Sequence, residues 1–119
     1  MGGGQADTTT SAVRAAVDRA RAVGYGAGSH EELNKLATEL RGYIAQMLPV
    51  AQAQADHMWH GSREWHVLTS RLHGIATEAK RPLALGKLAA HAQVRLLALD
   101  CEWLSMRYGT DLPTADPTR

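Results

Sequence analysis

One stripe of apolar residues in the first half of the chain constrains the fold more than any other feature. Between Leu33 and Ala51 apolar residues recur every three or four positions, which is the spacing of one face of an α-helix. Ser29, followed three residues later by Glu32, forms the capping box that begins such a helix. Because Pro49 lies inside the pattern and lacks a backbone donor, we expect a kink near residues 45–48 or a break there. The stripe comprises Leu33, Leu36, Leu40, Ile44, Met47 and Ala51.

Three further helices are predicted around this one, at residues 10–23, 63–80 and 82–108. Twenty alanines, no phenylalanine and no mixed runs of valine, isoleucine and threonine favour helix over strand throughout. Since the connections are short, sequential helices should pack antiparallel, which predicts an all-α, up-and-down four-helix bundle. We expect one domain over residues 1–119, ordered from about 8 to 109, with disordered ends.

The predicted fourth helix has the widest apolar arc, which marks it as the most buried of the four. Pro82 can occupy its first turn, since proline is tolerated at the start of a helix. Its arc comprises Leu85, Leu88, Ala89, Ala92, Leu96, Leu97, Leu99, Trp103 and Leu104.

Charge and cysteine content exclude several classes of protein. The formal charge is +1, from 13 basic and 12 acidic residues, so no concentrated positive surface for nucleic acid or anionic membrane is expected. No apolar run approaches the roughly 20 residues of a membrane-spanning helix, and no signal peptide is recognisable. Cys101 is the only cysteine and has no evident base to activate it, so we expect a packed thiol rather than a nucleophile. A cytoplasmic protein is predicted.

The stretch "ADHMWHGSREWH" at residues 55–66 gathers three histidines and two tryptophans. His57 and His60 lie one helical turn apart, with His66 nearby, and could share a metal ion. The helix phase places His57 and His60 toward the polar side, however, and zinc sites need three or four ligands. We therefore interpret the stretch as a solvated corner between two helices, with Trp65 on the buried side of the next helix and metal binding as the alternative.

Two polar residues interrupt the apolar arc of the fourth helix. Asp100 and Gln93 point about 40° and 60° from its centre. Because a buried carboxylate needs a partner or a raised pKa, we expect Asp100 to pair with an arginine, Arg41 or Arg71, or with Tyr43. The alternative is a ligand pocket between helices, in which Asp100 would act as the polar anchor or catalytic acid. The candidate pocket residues are Tyr43, Trp65, Gln93, Asp100 and Trp103.

Recognised catalytic signatures are absent from the sequence. It contains no glycine-rich phosphate loop, no nucleophile elbow, no cysteine pair for a metal and no paired Glu-x-x-His motif. No cofactor is expected, and whether the protein is an enzyme is left open.

Two segments carry a resemblance to a known family. "HEELNKLATELRGYIAQMLPVAQ" and, downstream, "AAHAQVRLLALDCEWL" resemble a family of small, uncharacterised, all-helical actinobacterial proteins often described as natural-product biosynthesis proteins. The resemblance covers roughly residues 30–105. It implies a biosynthetic gene cluster as the setting and assigns no catalytic residue. It rests on Glu32-Leu33, Leu40-Arg41-Gly42, Leu48-Pro49, Ala90-His91-Ala92-Gln93 and the region of Asp100.

Three functions remain open on the sequence. The first is a helical accessory protein that binds a biosynthetic enzyme or an apolar small molecule between its helices, either as a monomer or as a homodimer. The second is a cofactor-free cyclase or isomerase whose pocket surrounds Trp65, Trp103 and Asp100. The third is a metal-binding protein built on His57 and His60. The first requires no chemistry that the sequence does not display.

Overall fold

The structure, a computed structural model, describes residues 4–24 and 28–108. Four α-helices account for most of these residues. They are α1 (Gly4–Ala22), α2 (His30–Asp56), α3 (Arg63–Lys80) and α4 (Lys87–Tyr108). No strand occurs among the described residues. The prediction of an all-α helical bundle is confirmed.

The helices form a flattened bundle, which measures 42 × 39 × 18 Å along its principal axes. α2 and α4 make the most extensive contact and form its centre, and α1 packs across both. α3 packs mainly on α2 and touches α4 little. Side chains such as Leu33, Leu40, Leu97 and Leu104 are completely buried between the helices, and each contributes about 1.5–3 kcal/mol to the stability of the fold.

The longest helix, α2, begins where the sequence predicts. Ser29 Oγ accepts a hydrogen bond from the Glu32 amide at 3.1 Å, and Glu32 Oε1 accepts one from the Ser29 amide at 2.9 Å. The helix continues through Pro49 to Asp56, so the predicted break does not occur. Met47 and Ala51 are buried on either side of the exposed Pro49, and their packing on one face stabilises the helix across the missing donor.

The ends of α3 also agree with the prediction. Ser62 Oγ accepts a hydrogen bond from the Trp65 amide at 3.0 Å and caps the helix. At the other end Arg81 adopts an extended conformation ahead of Pro82, because the proline ring disfavours helical geometry in the residue before it.

The predicted start of α4 at Pro82 is wrong, since the helix begins at Lys87. The side chain of Gln93 holds the preceding segment in a non-helical path. Its Oε1 accepts a hydrogen bond from the Ala84 amide at 2.9 Å, and its Nε2 donates to the Pro82 carbonyl at 2.9 Å. The segment 82–86 is therefore a connection that α4 itself fixes in place.

The predicted burial is also wrong for four leucines of the predicted fourth helix. Leu85, Leu88, Leu96 and Leu99 are exposed. Apolar residues surround this helix on every side, so the centre of the arc does not identify the core face. The residues that are buried include three polar ones and lie around Leu97. They are Ala90, His91, Gln93, Val94, Leu97, Ala98, Asp100, Cys101, Leu104 and Tyr108.

The first helix begins earlier than predicted, at Gly4 rather than near Thr10, so residues 4–7 are helical where disorder is expected from the sequence. No proline stands between the two positions to prevent the helix from extending. The predictions for residues 1–3, for the loop at 25–27 and for the tail 109–119 lie outside the described residues. Within the described part of the chain, no helix has both the length and the apolar character needed to cross a membrane.

Candidate functional site

A groove lies between α3 and α4, where the two helices make little contact. Its volume is about 490 Å³, within the range of about 300–1,000 Å³ that is usual for ligand sites. Val67, Leu68 and Trp103 supply its apolar surface, and Val67 is 63% exposed. The charged residues that line it are Arg63, Glu64, Arg71 and Arg107.

Trp103 is placed between two arginines in this groove. The guanidinium carbon of Arg71 lies 4.6 Å from the centroid of the indole, and that of Arg107 lies 5.1 Å from it. Both distances are within the range of cation–π attraction. The ring of Tyr108 packs edge-on at 6.2 Å. The tryptophan is thus held in position, and two cations are held beside an apolar surface.

Asp100 lies beside the groove, on the buried face of α4, with 7% of its surface exposed. Its Oδ1 is 3.8 Å from a terminal nitrogen of Arg71, which is an ion pair but longer than a hydrogen bond. Burial raises the pKa of Asp100, the charge of Arg71 lowers it, and the charge of Glu78 raises it further, with burial the largest effect. Of the two arginines predicted as partners, Arg41 instead donates to the Arg81 carbonyl at 2.7 Å.

The structure separates the other predicted pocket residues from Asp100 and Trp103. Tyr43, on α2, donates a hydrogen bond to Glu39 at 3.3 Å, and its pKa is raised, first by burial and then by the Glu39 charge. Gln93 binds the segment 82–84. Trp65 lies in the first turn of α3, outside the groove lining. Of the five candidates, Trp103 lines the groove, and Asp100 lies beside it, next to Arg71.

The histidine–tryptophan corner forms a separate aromatic cluster. The rings of His60 and Trp65 stack with centroids 4.6 Å apart, and His66 meets Trp65 edge-on at 4.9 Å. His57 Nδ1 lies 2.9 Å from the Ala53 carbonyl oxygen, and His60 Nε2 lies 3.3 Å from that of Asp56. Across residues 4–24 and 28–108, no three histidine, cysteine, aspartate or glutamate residues are grouped so that they could hold a metal ion.

Cys101 is packed inside the bundle. Its Sγ donates to the Leu40 carbonyl at 3.2 Å, and burial, together with the charges of Asp100 and Glu39, raises the pKa of the thiol to about 12. A thiol that holds its proton at neutral pH is a poor nucleophile. Its contribution is to join α4 to α2.

Sequence reasoning missed Val67, Arg63 and Arg107 as groove residues. Arg107 follows Trp103 by four positions, the spacing at which helical side chains meet, so this pair could have been found. Val67 and Arg63 have no such local signal, because their place depends on how far α3 stands from α4.

The described helices form a small all-helical bundle with an open groove lined by three arginines. This arrangement defines the class of the protein. The chain belongs to a family of unknown function, DUF6415, whose model matches residues 6–113. Comparisons with curated proteins and with solved structures gave no match.

Proposed function

We propose that this protein is a non-catalytic binding protein whose α3–α4 groove takes an apolar small molecule that carries a carboxylate. The observation that supports this most is the position of Trp103 between Arg71 and Arg107, with guanidinium carbons 4.6 and 5.1 Å from the ring centroid. An apolar group can pack on Val67 and Leu68 beside the indole, while a carboxylate accepts hydrogen bonds from a guanidinium.

Charge complementarity selects the occupant. Three arginines and one glutamate line the groove, so its field is positive and favours an anion over a neutral or cationic molecule. Arginine also matches the planar geometry of a carboxylate in a bidentate pair. The exposed Val67 widens the apolar surface beyond Trp103, which suits a ring or a short acyl chain.

The proposed setting is the cytoplasm of a natural-product producer. The resemblance to actinobacterial biosynthesis proteins supports it, since many biosynthetic intermediates are apolar acids. In this setting the protein acts as an accessory that holds such an intermediate for a biosynthetic enzyme.

One observation favours a second candidate function, a cofactor-free cyclase or isomerase. Burial raises the pKa of Asp100, which is the property of a carboxyl group that can exchange a proton with a bound substrate. Its side chain lies on the core side of Arg71, so this function requires a substrate that displaces the guanidinium. Trp65, the third residue of the predicted catalytic pocket, does not line the groove.

The test is binding of decanoate, measured by titration calorimetry and by quenching of tryptophan fluorescence, against decanol as the neutral control. We expect decanoate to bind about tenfold more tightly, the size of one charge-assisted hydrogen bond. Arg107→Gln should remove most of this preference, whereas the matched variant Arg14→Gln on α1 should not.

Equal affinity for decanoate and decanol, or equal affinity of the Arg107→Gln variant and the unaltered protein for decanoate, would contradict the proposal. Asp100→Asn separates the two candidate functions. The binding protein retains its affinity for decanoate in this variant, whereas an enzyme would lose turnover of its substrate.

A further inference from the structure

α4 has a second apolar face, directed away from the core. Leu88, Leu99 and Met106 lie within about 20° of the direction opposite to the buried Leu97. They are 61%, 53% and 77% exposed. We name this face the outer stripe and define it by five residues, Leu88, Ala92, Leu96, Leu99 and Met106.

A helix that is apolar on all sides is normally covered on all sides. The other three helices cover the opposite face of α4. They leave the outer stripe exposed. The four larger side chains of the stripe expose an apolar area on the order of 200 Å² per molecule, arranged along about 27 Å of one helix.

We propose that the outer stripe binds a second copy of this chain, with the two α4 helices antiparallel across a twofold axis near residues 97–98. The spacing of its four larger side chains supports this register, because the gaps of 8, 3 and 7 positions between Leu88, Leu96, Leu99 and Met106 read nearly the same in both directions. Leu96 then lies against Leu99 of the second copy, and Leu88 lies against Met106. Such a self-complementary patch is what a twofold interface requires.

Charge favours the antiparallel arrangement over the parallel one. Arg95 is exposed, lies about 20° from the direction opposite to Leu97 and so within the angular range of the stripe, and makes no ion pair with any side chain in the described part of the chain. In the antiparallel arrangement Arg95 lies within one helical turn of Glu102 of the second copy, on the same side of the interface. The twofold axis generates a second, identical pair. Glu102 contacts Arg21 through Oε1, and its carboxylate can accept a further hydrogen bond. A parallel pair would oppose Arg95 to its own copy.

The size of the stripe sets the expected strength of the dimer. An interface built on one helix falls at the small end of specific interfaces, below about 1,200 Å² in total. Interfaces of this size are weak or transient, so the dimer should dissociate on dilution. The outer stripe is separate from the α3–α4 groove, because none of its five residues lines the groove.

Sedimentation equilibrium of the full chain, from about 1 µM to 1 mM, tests the proposal. The expected result is a monomer–dimer equilibrium that Leu99→Glu weakens by at least about tenfold. The matched control is Val67→Glu, which places the same charge on an exposed apolar position of α3 and should leave the equilibrium unchanged. A monomer at every concentration, or a dimer that Leu99→Glu leaves intact, would overturn the proposal.

Cross-linking tests the orientation independently of that variant. An oxidised mixture of Leu88→Cys and Met106→Cys chains should form the mixed disulfide, because these positions meet in the antiparallel dimer. Two copies of position 88 are about 27 Å apart in that arrangement, so the Leu88→Cys chain alone should stay uncoupled. Efficient coupling of Leu88→Cys to itself would overturn the antiparallel register.

Discussion

Three polar residues on the buried face of α4 each have a distinct structural role. His91 Nε2 donates to the Val23 carbonyl at 2.9 Å and so fixes the end of α1. Gln93 binds the segment before α4, and Asp100 forms an ion pair with Arg71 of α3 beside the groove. Because a buried polar group without a partner is costly, each of these side chains ties α4 to one particular neighbour, whereas the leucines beside them only require an apolar one.

Replacing Gln93 should show how much the connection to α3 depends on one amide. In Gln93→Ala the Ala84 amide and the Pro82 carbonyl lose their partner, and we expect the free energy of unfolding to fall by about 1–3 kcal/mol. Urea denaturation measures it. Gln52→Ala, at an exposed position of α2, should change stability by less than about 0.5 kcal/mol. Equal effects of the two variants would show that the amide holds nothing.

Asp100 makes stability depend on pH in a defined direction. Its pKa in the folded chain is raised above the ordinary 3.8, chiefly by burial, so folding favours the protonated form. The contribution of Asp100 to stability is therefore greatest below the ordinary pKa and falls as pH rises through the raised one. Asp100→Asn removes this loss.

The measurement is the free energy of unfolding of both proteins from pH 3 to pH 7, that is, from below the ordinary pKa to neutrality. The difference between the two should shift in favour of Asp100→Asn as pH rises. A constant difference would mean that folding leaves the pKa unshifted, and a difference that shifts toward the unaltered protein would mean that Arg71 outweighs burial and lowers the pKa.

At the scale of the element, α4 shows what helical periodicity can and cannot identify. The capping box at Ser29, the boundary at Ser62 and the end of α3 before Pro82 are local signals, and the structure confirms all three. The orientation of α4 is not local. With apolar residues all round the helix, the core face is set by the shapes of α1 and α2, so periodicity could not place Leu88 and Leu99 on the surface.

The candidate site follows the same division. Trp103 and Asp100 could be found from the sequence, because an aromatic residue and a carboxylate within an apolar helix can each be recognised without knowing how the helices pack. The groove that contains Trp103 could not, because it exists only where α3 stands away from α4. The sequence predicts that Tyr43 lies near Asp100, whereas in the structure its hydroxyl donates a hydrogen bond to Glu39.

A pair of leucines tests the orientation of α4. Leu97 is completely buried and Leu99 is 53% exposed, although both belong to the same apolar arc. Leu97→Ala should lower the free energy of unfolding by about 2–5 kcal/mol, through lost burial and the cavity that remains. Leu99→Ala should lower it by less than about 1 kcal/mol in dilute solution. Thermal denaturation at a concentration below that of dimer formation measures both, and a larger effect at Leu99 would mean that the core face is assigned wrongly.

At the scale of the whole molecule, the packing is uneven. α2, α4 and α1 share one continuous core, and α3 joins it mainly through α2, with Leu68, Leu72 and Ile75 as its buried residues. The same looseness opens the groove beside Trp103. The proposed binding site requires no cavity in the core, because the groove lies on the surface between α3 and α4.

This uneven packing predicts the pattern of hydrogen exchange. Amides in the middle of α2 and α4 should open only with global unfolding and exchange slowest, whereas amides of α3 should exchange faster through local opening. Exchange read out by mass spectrometry resolves the helices as separate peptides. Saturation with decanoate should slow exchange at Glu64–Arg71, which face the groove, and leave the α1 peptide unchanged as the internal control. If α3 exchanged as slowly as α2 without ligand, the four helices would form one cooperative unit, and the groove would be a fixed feature of the surface rather than the consequence of a loosely held helix.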